Sequence, residues 1–306
     1  MRGARPDETV VPLMRATANP LLALRAPRAS AIGLAVVGAA AGAASPGVMA
    51  VVDAGAAVGT PRRPRDAVGV QRGSPVAWSA GGAMCALAGS GHDVRVFVVG
   101  RRGRGPAGAD DGAPRFELLN VLRGLAAPVL RLEFAPAAAG AAAGAWLAGA
   151  TACGVCVWDC RGGVEVWRRG GYEAPYGGGA ALPPERSVTC TAWACGALLC
   201  VGHRYGGLEL MDANAGFRSL PRVRANEYAI SAMAAVPRCE ALAVTGRGAS
   251  VELWGLRGCA GGRPPEFLRR LEAPCGDLTA LAACSAGARL MAGSRSGRIL
   301  VHRARS

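Results

Sequence analysis

The sequence predicts an all-β protein built from a repeated unit of antiparallel strands. Three observations carry this. Apolar residues alternate, as in Val94-Arg95-Val96-Phe97 and Val251-Glu252-Leu253, which gives a strand one inward and one outward face. Gly-rich turns punctuate the apolar runs, and no long amphipathic helical pattern is evident. One unit also recurs along the chain, and such recurrence sets the fold before any local propensity does.

The unit is a short apolar strand often ending in an aromatic, a turn of small residues, a second strand ending in Gly or Ser, a tight turn, and an alternating third strand. Five copies are clear. They start at Pro75, Pro128, Ser187, Ala229 and Asp277. A degenerate copy precedes them, AIGLAVVGA from Ala31 and GVMAVVDAG from Gly47. The third strands end at Phe97, Trp158, Met211, Trp254 and His302, separated by 61, 53, 43 and 48 residues. The shorter intervals match a propeller blade of about 40–50 residues. The longer ones hold insertions rich in Gly, Pro and charge, Arg101 to Pro114 and Gly170 to Pro184. Between copies lie further strand-like pieces, PRFELLNVLRG, VEVWRRG, FRSLPRVRA and EFLRRLEAP, each expected as the fourth, outer strand of a blade. A β-propeller of four-stranded blades follows. A sandwich or barrel would share the strand spacing but not the common internal order of strands and turns.

The copies resemble WD repeats over residues 17–306, with residues 1–16 left as an N-terminal tail, disordered or targeting. The Trp-Asp pair itself stands once, at Trp158-Asp159, and the family's Gly-His pair is missing from most copies. The last copy stops after its third strand. In WD-repeat proteins the N-terminus commonly supplies the missing strand, and closure removes two exposed sheet edges. The resemblance therefore implies six blades closed by an N-terminal strand, expected at Leu21 to Pro27, or seven if Thr9 to Met14 begins another.

Composition limits the functional classes. The chain has 306 residues, a formal charge of +14 and 35 basic residues, every one of them arginine. Abundant Ala, Gly, Pro and Arg with no lysine point to GC-rich codons, which weakens the inference from charge to a nucleic-acid partner. The 11 cysteines are odd in number and sit mostly in apolar runs, as at Cys85, Cys156, Cys190 and Cys284. They read as buried free thiols, not as a disulfide framework, and suggest a reducing compartment, cytoplasm or nucleus. No apolar run reaches the ~20 residues of a membrane span. Residues 1–30 are Arg-bearing and acid-poor, a composition shared by transit peptides.

Catalytic signatures are missing: there is no G-x-S-x-G, Walker loop or H-E-x-x-H. Cys153 and Cys156 form a C-x-x-C with Cys160 close by, but His92, His203 and His302 fall in different copies, so no zinc set assembles. No cofactor is expected. The most distinctive feature is Arg168-Arg169-Gly170 at the end of an outer strand, followed by Tyr172 and Tyr176. The layout is similar to the Arg-Arg-Gly motif of the phosphoinositide-binding propellers of autophagy, which implies Arg168 and Arg169 as ligands for an anionic lipid headgroup through bidentate hydrogen bonds. Other Arg-Arg pairs occur, such as Arg62-Arg63, Arg101-Arg102 and Arg269-Arg270. The expected function is a non-enzymatic scaffold that binds other proteins through its loops.

Overall fold

In a computed structural model of the chain, the described residues are 11–12, 34–38, 48–52, 75–79, 82–89, 92–101, 114–125, 127–136, 145–170, 187–274, 276–283 and 289–303. They fall in two units, one of Ala16–Leu182 and one of Met1–Arg15 with Pro183–Ser306. Strand β1 (Val11–Pro12) belongs to the second unit.

The first unit begins with the hairpin β2 (Leu34–Gly38) and β3 (Val48–Val52), with Val36 opposite Ala50. The hairpin falls on the degenerate copy. Next comes a four-stranded antiparallel sheet of β4 (Val76–Trp78), β5 (Met84–Ala88), β6 (Val94–Arg101) and β7 (Pro114–Leu122). A second such sheet holds β8 (Val129–Phe134), β9 (Trp146–Thr151), β10 (Gly154–Asp159) and β11 (Val164–Gly170). Val96, Leu122, Leu132, Leu147 and Trp158 form one core shared by these two sheets.

The second unit carries three sheets. Strands β12 (Val188–Ala194), β13 (Leu198–His203) and β14 (Gly207–Asp212) are followed by a split outer strand, β15 (Arg218–Ser219) and β16 (Val223–Arg224). The expected outer strand FRSLPRVRA is interrupted because Pro221 has no N–H to give the ladder. Strands β17 (Ile230–Val236), β18 (Ala241–Gly246), β19 (Ser250–Gly255) and β20 (Glu266–Glu272) form the next sheet. The last holds β21 (Leu278–Ala283), β22 (Arg289–Ser294), β23 (Arg298–Arg303) and β1. One shared core, with Leu198, Leu210, Leu242 and Trp254, joins the first two of these sheets, and another, with Val251, Leu253, Leu278 and Leu300, joins the last two.

An N-terminal strand does complete the last sheet. It is β1, with Val11 opposite Ile299 and Pro12 opposite Arg298. Leu21 to Pro27, the segment expected for this task, lies outside the described residues, as do Cys284 and most of both long insertions. Cys85, Cys156 and Cys190 are buried as expected, and burial pushes the Cys85 thiol up to about 12.

The repeat read in the sequence is a repeat in register. Phe97, Trp158, Met211, Trp254 and His302 stand opposite Cys85, Leu147, Leu199, Leu242 and Leu290, the same step in five sheets. Four inner strands bulge at their second residue, Leu130, Thr189, Ser231 or Thr279. Three outer strands bulge beside the third-strand aromatic, at Leu119, Val166 and Leu268. A bulge bends and twists its strand, so the outermost edge is a poor template for another chain.

Gly149 on β9 lies under the Trp158 indole, where a Cβ would stand 2.6 Å from a ring carbon. Gly149→Ala is therefore expected to destabilise by about 1–3 kcal/mol in a denaturant titration. Trp158 is fully buried, and its Nε1 has no hydrogen-bond partner. Trp158→Phe, which removes that orphaned donor, is expected to cost under about 1.5 kcal/mol. Trp158→Ala leaves a cavity and should cost about 3–5 kcal/mol in the same titration.

Candidate functional site

Arg168 lies near the end of β11 opposite Cys156, and Arg169 opposite Val155. The Arg168 side chain is only 10% exposed. Its guanidinium donates to both carboxylate oxygens of Glu165, from Nε at 2.9 Å and from Nη2, and its Nη1 donates to the carbonyl of Gly124. Gly124 sits between β7 and β8, so Arg168 fastens that connection to β11. A carboxylate already fills the fork that a headgroup phosphate would use. Tyr172 and Tyr176 lie outside the described residues. The hydrogen bond from Arg168 is the main cause holding the Glu165 carboxyl below its usual range.

Cys156 and Cys160 of the cysteine group are buried, and desolvation pushes both thiols up, Cys160 to about 12. Raised thiols are poor nucleophiles and poor metal ligands at neutral pH. Among the described residues no cluster of His, Cys, Asp and Glu is arranged to hold a metal ion, and no helix is long and apolar enough to cross a membrane.

A different group of residues converges in the second unit. The second strand of each sheet ends beside the start of the first: His203 opposite Val188, Gly246 opposite Ile230, Ser294 opposite Leu278. The next residue in each case is an arginine, Arg204, Arg247 or Arg295. Two of these turns are held alike, with Arg204 N donating to Ser187 O at 3.0 Å and Arg295 N to Asp277 O at 2.8 Å. Neighbouring inner strands are also tied at this end. Cys190 Sγ reaches Ile230 O at 3.8 Å, and Ser231 Oγ donates to Leu278 O at 2.6 Å. The three arginine turns therefore share one end of three adjacent sheets.

Two tyrosines join them. Tyr205, in the β13–β14 turn, is 54% exposed, and Tyr228, in the link before β17, is 53% exposed. Gly206 fixes their relation. Its carbonyl accepts from Ala225 N at 2.8 Å and Asn226 N at 3.1 Å. Its φ is +76, and a Cβ there would overlap the Asn226 carbonyl, so only glycine fits. Asn226 Oδ1 in turn accepts from Tyr228 N at 2.9 Å, which shapes the link as an Asx turn. Beneath the turn, buried His203 places its Nε2 3.5 Å from Glu209 Oε2, and Glu209 Oε1 accepts from Ser219 Oγ at 3.4 Å.

The arginine and tyrosine side chains at this end are exposed, and no ion pair engages Arg204, Arg247 or Arg295 among the described residues. The sequence carried the signal in the turns HRYG, GRGA and SRSG at one step of three copies. It was submerged in a chain where arginine is common.

No protein-family model matches the chain, and no curated protein matches it. Solved structures do. A crystal structure of the Mitotic Checkpoint Complex matches with a TM-score of 0.64 and 13% identity, covering 95% of this chain and 79% of that one. The β-propeller domain of Cps50 (Swd1) from Myceliophteria thermophila matches with a TM-score of 0.64 and 15% identity, covering 97% and 86%. The C-terminal WD40 domain of Sif2 matches with a TM-score of 0.60 and 13% identity, covering 94% and 70%. The chain has the WD40 β-propeller fold.

The clamp on Arg168 makes its removal a stability experiment. Arg168→Ala is expected to cost about 1–3 kcal/mol, read as a lower unfolding midpoint by circular dichroism. Glu165 has a depressed folded pKa, so its contribution is full above the unfolded carboxylate pKa and is lost as pH falls through the folded value. Glu165→Gln should flatten the acid side of the stability profile.

Proposed function

We propose that this protein is a non-catalytic propeller scaffold that binds other proteins within a larger assembly, and that the Arg204, Tyr205, Tyr228, Arg247 and Arg295 end of its second unit is the binding face. The observation that carries the reading is the pair of half-exposed tyrosines on mutually braced loops, flanked by arginines with no ion pair among the described residues. Tyrosine and arginine are enriched where interfaces concentrate their energy, because each presents a large contact area together with polar atoms. Loops on a rigid sheet framework are the usual carriers of such contacts. The reading takes β2 and β3 as part of a sixth blade, and the compartment that goes with it is the cytoplasm or the nucleus.

A phosphoinositide role for Arg168 and Arg169 finds less support, since Glu165 occupies the Arg168 fork.

The test is comparative. The full chain and its Tyr205→Ala, Tyr228→Ala double variant are expressed at equal levels, and their co-purifying proteins are quantified by mass spectrometry. The expected result is loss of the specific partners from the variant with an unchanged unfolding midpoint, since both side chains project into solvent. An identical partner set from both proteins would sink the reading.

A further inference from the structure

We propose that this face receives an extended segment of a partner protein whose acidic side chains are spaced by neutral residues. The inference rests on the binding-face reading above and adds the chemistry of the occupant.

The argument starts from the order of charges. Arg204, Arg247 and Arg295 occupy the same step in three successive sheets, one residue past the end of the second strand. All three are exposed, and among the described residues none meets a carboxylate. A guanidinium presents a planar fork that matches a carboxylate through two parallel hydrogen bonds, so three free forks on one face are three sockets for acidic side chains.

The carboxylates between them narrow the choice. Glu227 lies in the link leading to β17, and Asp277 immediately precedes β21. Both are exposed at the same end as the arginines. Arg224 stands at the same end, opposite Gly207, with its Nη2 donating to the Glu227 carbonyl at 3.4 Å. Along these turns and links the charges therefore run Arg204, Arg224, Glu227, Arg247, Asp277, Arg295. A nucleic-acid backbone carries a charge at every residue and would meet repulsion at each acidic step. An extended peptide places side chains ~3.3 Å apart along its length and can set acids against the arginines and neutral residues against Glu227 and Asp277.

Tyr205 and Tyr228 supply what the charges lack. Each offers an aromatic face to an apolar side chain and a hydroxyl to the peptide backbone, on loops already ordered by Gly206 and Asn226. Little further ordering is then needed on binding.

The test uses the full chain and a displayed library of short peptides, about twelve residues long. Every third position carries Glu, Gln or Arg at random, and the positions between are neutral. Selection on the native protein is expected to enrich Glu at two or more of the variable positions. The winning peptide, labelled and measured by fluorescence anisotropy, should bind at least ~10-fold more weakly to the Arg204→Ala, Arg247→Ala, Arg295→Ala variant, and more weakly as salt is raised.

Three results would overturn the proposal: no enrichment of Glu; equal binding to the variant; or a single-stranded oligothymidine that binds more tightly than the peptide with the same dependence on the arginines. None of these alters the comparison of co-purified partners. If the tyrosine variant loses its partners while Glu is not enriched, the face stands and only its chemistry is wrong.

Discussion

Strand sheets that are apolar on both faces cannot stay in water alone, and the rest of this structure depends on that constraint. Trp158 is buried in a core that also holds Leu122 and Leu132, and those residues come from two different sheets. Trp254 is buried among Leu198 and Leu210 of the preceding sheet in the same way. The stabilising unit is therefore the pair of neighbouring sheets. Each sheet is folded by its neighbour, which is the physical reason why one pattern is repeated along the chain.

The parts of the fold that were legible in the sequence are those this constraint controls. A third strand must carry a large residue at a fixed step, and Phe97, Trp158, Met211, Trp254 and His302 announced their sheets accordingly, although each strand runs on past that residue, β6 as far as Arg101. The outer strands β7, β11 and β20 are largely exposed, and were legible instead from their strand-like residues and their place between the copies. Two features were not. Strand β1 is a Val-Pro pair, with no alternation to mark it; its identity comes from the free edge of β23 and not from its own residues. The break in the outer strand at Pro221 was visible as a proline, but its place in the ladder was not.

The candidate site divides in the same way. Arg168-Arg169 stood out as a motif, yet the role of Arg168 is decided by Glu165 and Gly124, three residues back and in the preceding sheet connection. A guanidinium can serve as a rivet or as a socket, and sequence does not distinguish them when the partner is remote. Arg270, held by the buried carboxylate of Glu252 at 2.8 Å, is another rivet. Arg204, Arg247 and Arg295 meet no such carboxylate among the described residues, and their shared step in three sheets sets them apart from other arginines.

The pairing of β1 with β23 has a consequence in time. The strand that completes the last sheet is synthesised long before its partner, since Val11 pairs with Ile299, 288 residues further along the chain. At the roughly 5–20 residues per second typical of translation, β1 waits for tens of seconds beside sheets that are already pairing among themselves. Chaperone demand should therefore persist until β23 emerges, because the hydrogen-bonding edge that β1 will meet does not exist before then.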